Sequence, residues 1–310
     1  WSDRVKVLRL LIQLRRCPDL DIQNGHFNSP QNRAAPVVEL GPWSHKSTST
    51  FLQEWGFSDA FVQEFLLPFF SGIFLEGALQ TPAAQFQFTF KMLAEGKVLR
   101  PKRGVEALAH QLADQLVRTE VKLGRKVVSC SRETLHLEGE SIPVERGAII
   151  AVPGLHPNYP SGNWNGCVNA VFRSRTPRFG KAVIGLIPGA KKVTNLHFME
   201  DLEGTQGAGR VNVTGLRDPK ESVEEALEAM RKELHDAGVE CTEVEWSVAI
   251  DRALPRNRPV GNRPRGPELE TGVFGAGDAF LAPSLEGAMR SGRKAAEAWV
   301  SWQREAQHSS

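Results

Sequence analysis

Apolar positions recur at helical spacing along several stretches of this chain and alternate or cluster at strand spacing in others. Near the C-terminal end, Leu285, Ala288, Met289, Gly292, Ala295, Ala296 and Trp299 fall on one helical face. Before them, Gly272-Val273-Phe274-Gly275-Ala276-Gly277-Asp278 reads as a short buried strand ending in a Gly-Asp turn. Pro283 and Ser284 suit the start of the helix, because Pro fixes φ and Ser caps a free N–H. Small residues on the first half of the apolar face let the helix approach a sheet or a flat ligand closely. A glycine turn feeding a helix N-terminus favours an anionic ligand, since free N–H groups and the helix dipole point at it. Asp278 repels phosphate, so its natural partners are hydroxyls or backbone N–H groups. A purely structural strand–turn–helix, with Asp278 capping its own turn, accounts for the same pattern.

From the beginning of the chain, Arg4 to Arg16 alternates basic and aliphatic residues and predicts a basic amphipathic helix. It is read as a surface helix packed on the body rather than a membrane contact, because its apolar side is short and lacks interfacial Trp. Asp19 to Trp43 reads as loop. Hydroxyl caps at Ser47 onward start a helix that reaches Trp55, and a second helix runs from Asp59 to Phe70, which Pro68 is expected to kink or end. Phe61, Phe65, Phe69, Phe70 and Phe74 form an aromatic cluster. Such a cluster is core more often than the lining of a tunnel for an apolar substrate. Thr81-Pro82 starts a further helix carrying Phe86, Phe90 and Leu93, and Val105, Leu108, Ala109, Leu112 and Leu116 give another helical stripe.

Val121–Ser129 and Thr134–Leu137 read as strands, and Ala148–Pro153 as a buried parallel strand. Asn165–Phe172, Ala182–Ile187, Val193–Met199 and Arg210–Gly215 read as antiparallel strands with polar turns, and Val244–Ile250 as another strand. Asp218-Pro219-Lys220-Glu221 reads as a capping box for a helix facing Val223, Leu227, Met230 and Leu234 one way, with Gly238 as its stop.

Two stretches resemble one family. Gly272–Ala296 (GVFGAGDAFLAPSLEGAMRSGRKAA) resembles the C-terminal cofactor motif of the FAD-dependent amine oxidase, phytoene desaturase and protoporphyrinogen oxidase superfamily. Residues 51–96 (FLQEWGFSDAFVQEFLLPFFSGIFLE…TPAAQFQFTFKMLAEG) resemble its substrate-domain helices. The resemblance implies FAD as cofactor. It places Gly277 and Asp278 by the ribityl–pyrophosphate portion, and the backbone of Ser284, Leu285, Glu286, Gly287 and Ala288 toward the flavin ring. It implies an adenine-side contact at Val127, with Val128 as competitor.

The implied fold is α/β and α+β: an incomplete FAD-binding Rossmann-like domain with an inserted substrate domain of mixed sheet plus helices. Its divisions are substrate-domain helices at 1–97, an FAD-domain segment at 98–155, substrate-domain sheet and helix at 156–251, the C-terminal FAD-domain segment at 252–302, and a tail at 303–310. The family's opening strand–GxGxxG–helix unit has no counterpart; Gly204–Gly209 (GTQGAG) lies between strands and follows no buried strand. Without that unit the strands near Ile149 and Phe274 lose a neighbour, leaving backbone groups unpaired. The chain is therefore expected to be the C-terminal portion of a larger flavoprotein.

Composition adds exclusions. The 310 residues are 41% hydrophobic and 24% charged, with a net charge of +2, which argues against nucleic acid as partner. No apolar run reaches the roughly 18 residues of a membrane span. Cys17, Cys130, Cys167 and Cys241 are scattered, with no metal spacing, and suit thiols in a reducing intracellular compartment. His110, His136, His197 and His235 read as structural or exposed. No acid–base constellation identifies a catalytic residue, which fits chemistry carried by a cofactor.

Amine oxidation is in doubt. Tyr159 is the single tyrosine, Ser284 stands where some relatives carry tyrosine, and Trp246 supplies one ring at most. The expectation is thus an oxidoreductase acting on a small-molecule substrate that is apolar or unassigned. The alternative is a non-catalytic binding or scaffold protein derived from the same fold. Substrate, electron acceptor and oligomeric state are not specified by the sequence.

Overall fold

The computed structural model describes residues 2–15, 46–160, 163–204, 209–256 and 266–308. The chain forms two compact units that interleave in sequence: Trp1–Gln87 with Gly162–Arg263, and Phe88–Ser161 with Pro264–Ser310.

The first unit is built on a four-stranded sheet. Its strands lie in the order Val193–Phe198, Arg210–Arg217, Trp164–Ser174, Cys241–Pro255, and every pair is antiparallel. Alternation puts Val168, Ala170, Phe172, Val211 and Val213 on one face, all fully buried. The helix Val223–Asp236 lays Ala226, Met230 and Leu234 onto that face, four residues apart as a helical stripe requires. Gly215 makes room for this helix, since a Cβ there would lie 3.1 Å from the Met230 sulfur.

The helix starts later than the sequence suggested. Ser222 and Glu225 form the capping box, while Asp218 closes the preceding turn by accepting from the Lys220 N–H at 2.9 Å. Gly238, at φ +79°, carries the chain out of the helix end. The expected strand at 182–187 is reduced to one bridge, Gly185 to Leu196. Ile184 in that stretch is largely exposed, so no buried face holds it in a ladder.

The opposite face of the sheet is more polar. Asn169 and Asn212 exchange side-chain hydrogen bonds, each 3.1 Å, and the Asn169 amide also reaches Thr214 Oγ1 at 3.0 Å. The Phe-rich helical stretch covers part of this face, with Gly72 set against Thr194 and Asn195. That stretch is continuous: Asp59–Phe61 is α-helical, Val62–Leu66 is π-helical, and Leu67–Phe74 is α-helical again. The expected break at Pro68 is absorbed by the wider π turn, in which the Leu67 N–H donates to the Val62 carbonyl. Of the cluster, Phe70 and Phe74 are buried core and pack with Phe51 and Phe86, Phe61 and Phe69 are partly buried, and Phe65 is 42% exposed. Phe57, Phe61, Phe65 and Phe69 follow one another with centroid separations of 5.5–5.7 Å.

The helix Ser2–Arg15 packs on this unit through Leu10 and Leu14. It is pinned by Asp3, which accepts from the Ser58 N–H at 2.9 Å and from its hydroxyl at 2.6 Å. Arg16 and the expected loop at 19–43 lie outside the described residues.

The second unit holds a mixed sheet in which Val273–Gly275 is central. It pairs in parallel with Ala148–Ile150 and antiparallel with Glu268–Glu270. The inserted sheet is wholly antiparallel, as its strand pattern suggested, and the sheet of mixed direction lies here instead. A separate meander consists of Val127–Cys130, Thr134–Leu137 and Glu140–Pro143. Its first strand begins at Val127 and not at Val121, because residues 121–126 form an exposed turn around Gly124 at φ +69°.

The helix Glu106–Ala113 buries none of its residues; Leu112 and Leu116 are about half exposed, and Leu99 and Val117 more than four-fifths. The C-terminal helix Leu285–His308 packs Ala295, Ala298, Trp299 and Trp302 against Phe274 and Ala276. Its buried face is rotated from the one expected. Gly287 and Ser291 turn inward, while Leu285, Met289 and Ala296 are exposed. Close backbone approach, not side-chain apolarity, selects that face.

Met230 is fully buried, so Met230→Ala should cost about 2–5 kcal/mol in urea unfolding. Lys232→Ala, on the solvent side of the same helix, should stay within about 0.5 kcal/mol.

Candidate cofactor site

The site forms where two parallel strands end. Ala148–Ile150 and Val273–Gly275 run side by side, and the Ala276 N–H donates to the Ile150 carbonyl at 2.8 Å, extending the pairing by one residue. The carboxyl ends of parallel strands are where open α/β sheets receive ligands. Here the chain turns sharply at Gly277, with φ +126° and ψ 166°, a combination essentially restricted to glycine. Space makes the same demand. A Cβ on Gly277 would lie 2.6 Å from the Tyr159 hydroxyl, and one on Gly275 would lie 2.1 Å from the Phe280 ring.

Two buried side chains hold the turn from behind. The Tyr159 hydroxyl donates to the Ala276 carbonyl at 2.6 Å, with the ring edge-on to Phe280. Ser291 Oγ accepts from the Gly277 N–H at 2.7 Å and donates to the Ala288 carbonyl at 2.8 Å. The sole tyrosine is thus a buried support of the turn and is not available as a ring facing a substrate.

Asp278 follows, half-buried, at the start of a single 3₁₀ turn, Asp278–Phe280. Burial pushes its carboxyl up from the ordinary value, while its own N–H and that of Ala279 act in the opposite sense. The carboxylate is therefore an oriented acceptor. Ser284 caps the next helix, accepting from the Gly287 N–H at 2.9 Å. A Cβ on Gly287 would lie 2.0 Å from the Ala282 carbonyl oxygen, so only glycine lets the first helical turn fold back onto 282. Leu285 and Glu286 are exposed beside it, and Ala288 is half-buried.

Gly277, Asp278 and 284–288 thus form one continuous turn and helix start, with the Ala151 carbonyl 3.8 Å from the position of a Gly277 Cβ. Val127 lies on the meander and lines a cavity of about 650 Å³ together with Ile149, Ile150, Ala151 and Val152. Val128, its competitor, is 53% exposed.

The sequence reading passed over His156. It is buried, with Nε2 3.3 Å from Glu270 Oε1 and Nδ1 accepting from the Asn158 N–H at 3.1 Å. It ties the loop before Tyr159 to the strand Glu268–Glu270. Only its position two residues before Asn158 in a Gly- and Pro-rich loop marked it, and that signal is weak. The thiols of Cys130, Cys167 and Cys241 are free, and burial raises each of them, Cys241 to about 11. Cys17 lies outside the described residues. Among the described residues no group of His, Cys, Asp or Glu could hold a metal, and no helix is long and apolar enough to cross a membrane.

The Gly277 turn and the small-residue helix capped by Ser284 thus lie together at the ends of the parallel strands. Residues 28–156 match the family model described as "Flavin containing amine oxidoreductase". That match covers the Phe-rich helices and the meander, and stops before the Gly277 turn.

The fold is similar to that of an oxidoreductase from Methanosarcina mazei, at a TM-score of 0.66 and 14% identity, over 96% of this chain and 73% of that one. It is also similar to a fatty acid isomerase from P. acnes, at 0.65 and 13%, over 92% and 72%. A putrescine oxidase bound to putrescine gives 0.60 and 15%, over 96% and 75%. No curated protein matches the sequence. The family match over residues 28–156 bears out the resemblance to flavin-containing amine oxidoreductases, and the solved structures show a similar fold. The family match supports a flavin-dependent oxidoreductase in general.

Tyr159 is the only tyrosine in the chain, so absorbance at 295 nm follows it alone. Burial, then the Asp278 charge, pushes its phenol from 10.0 up to about 12. The folded protein should show one transition near that value, and unfolded protein one near 10. Because the folded value is the higher one, stability is full below pH 10 and lost as pH rises toward 12. Tyr159→Phe should remove that alkaline loss, measured as the slope of Tm against pH.

Proposed function

We propose that this chain contributes to an FAD-dependent oxidoreductase that oxidises an apolar small molecule by hydride transfer to the flavin. The observation that carries the reading is the Gly277–Asp278 turn at the carboxyl ends of two parallel strands. Its glycines leave no side chain between backbone and ligand. The residues fit this cofactor in four ways. Asp278 offers an acceptor to ribityl hydroxyls. The helix capped by Ser284 presents the N–H groups of Leu285 and Glu286 to negative charge. Gly287 and Ala288 permit close approach of a flat ring. Val127 supplies an apolar contact for the adenine side. When bound, FAD supplies the hydride acceptor, and the protein orients substrate and excludes water.

Part of the cofactor cradle comes from elsewhere in this proposal. Ala148–Ile150 is an edge of its sheet among the described residues, and Ile149 and Val152 on and beside it are about half exposed. The apolar side of the 106–113 helix is uncovered as well. Exposed apolar surface of this extent is what an absent packing partner leaves behind. A strand–GxGxxG–helix unit, on the same longer polypeptide or on another, would pair with that edge and supply the pyrophosphate contacts. The same edge favours the second reading, a non-catalytic protein of this fold.

The protein expressed from its longest natural reading frame should show flavin bands that persist through desalting. A colourless, folded product that ignores added FAD would establish the non-catalytic reading. The 310-residue chain alone should bind FAD more weakly than about 1 μM, a free energy of roughly −8 kcal/mol, and tighter binding by fluorescence titration would refute the need for a further unit.

A further inference from the structure

A second cavity, of about 420 Å³, lies wholly within the first unit, between the loop after the Phe-rich helix and the ends of two sheet strands. Its size is that of a small-molecule pocket. Three features mark it as built.

The loop is held in an unfavourable conformation. Leu75 and Leu79 both take left-handed backbone, at φ 52° and 49°, although neither is glycine. Such strain persists only where the surroundings enforce it, and it clusters at ligand sites. Glu76 enforces it here: one carboxylate oxygen accepts from the Ala78 N–H at 3.0 Å, the other from the Thr81 N–H at 2.8 Å.

A guanidinium is aimed by a buried relay. Asn165, 6% exposed, donates to the Phe74 carbonyl at 2.8 Å and accepts from Arg256 Nε at 2.7 Å. That fixes Arg256 by one edge only. Arg256 is itself exposed, and among the described residues no carboxylate pairs with it and its two terminal nitrogens make no hydrogen bond.

The second arginine at the cavity is occupied. Arg217 donates to Asp251 Oδ1 at 2.9 Å and to the carbonyls of Asp218 and Glu221. It lies across Gly166, where a Cβ would come within 2.8 Å of the Arg217 Cβ. Trp164, Leu75 and Leu216 complete the wall.

We infer that this cavity is a binding site for a monocarboxylate, whose two oxygens engage the terminal nitrogens of Arg256 while its apolar body lies against Trp164 and Leu216. The free edge formed by the two terminal nitrogens offers a pair of parallel N–H donors that matches a carboxylate. The fixed negative charge of Glu76 in the same cavity disfavours a dianion such as phosphate. The site is independent of the flavin reading, and its test contains no flavin, so either can fail alone.

The test is saturation-transfer NMR on the 310-residue chain, with benzoate, benzamide and phenyl phosphate as probes. Benzoate should bind. Benzamide, of the same shape without the charge, should bind at least about tenfold more weakly, a difference of roughly 1.4 kcal/mol, and phenyl phosphate more weakly than benzoate. Arg256→Met should abolish the benzoate signal and Arg256→Lys should restore part of it, with unchanged melting temperatures. The inference is overturned if benzoate does not bind, if benzamide binds equally well, if phenyl phosphate binds more tightly than benzoate, or if Arg256→Met leaves binding intact. Should Arg256→Met not fold, the comparison of benzoate with benzamide on the native chain still decides.

Discussion

Parallel pairing of Ala148–Ile150 with Val273–Gly275 is the constraint on which the second unit depends. Parallel strands cannot be joined by a tight turn, so the intervening chain must leave and return. In this protein the excursion contains most of another unit. The pairing then places the Gly277 turn against Tyr159, a residue 117 positions earlier whose hydroxyl binds the Ala276 carbonyl. Backbone and side chain meet so closely there that glycine is demanded twice, once by φ and once by contact. Ser291, reaching back from the helix, makes the third support. Strand, turn and helix start are thereby held together by contacts from three parts of the chain.

The first unit solves a different problem with the same economy of glycine. Its sheet has one apolar face closed by the helix Val223–Asp236, and one polar face partly covered by the Phe-rich helical stretch. On the closed face, Gly215 yields space to Met230. On the other, Gly72 yields space to Asn195, and the reciprocal amide pair of Asn169 and Asn212 satisfies polar groups that a strand face would otherwise leave open. The π turn before Pro68 belongs to the same set of accommodations, because it lets a residue without an N–H stay inside a helix that must remain continuous to cover the sheet.

Several elements were legible in the sequence because their causes are local. Ser47 accepts from Thr50 and Ser284 from Gly287, as hydroxyls before apolar helical runs should. The apolar run at 148–153 contains the parallel strand Ala148–Ile150 that it suggested, and the short buried strand before the Gly-Asp turn is Val273–Gly275. The stripe containing Met230 and Leu234 is the buried side of its helix. Where the sequence misled, a small or polar residue stood where apolarity was expected to decide. Leu285 and Met289 are exposed because Gly287 and Ser291 permit closer contact with the turn.

By itself, then, the sequence determined that Ser47 and Ser284 cap helices, that a short apolar run near Ile149 forms a strand, and that a Gly-Asp turn precedes a small-residue helix. These follow from interactions within a few residues of each other. Only the tertiary structure decided that Tyr159 is a buried prop rather than a substrate-facing ring, that His156 meets Glu270, and that Asn165 aims Arg256 into a cavity bounded by a strained loop. Each of these joins residues about a hundred positions apart in the chain, and no local periodicity encodes a contact whose cost is the closure of so long a loop.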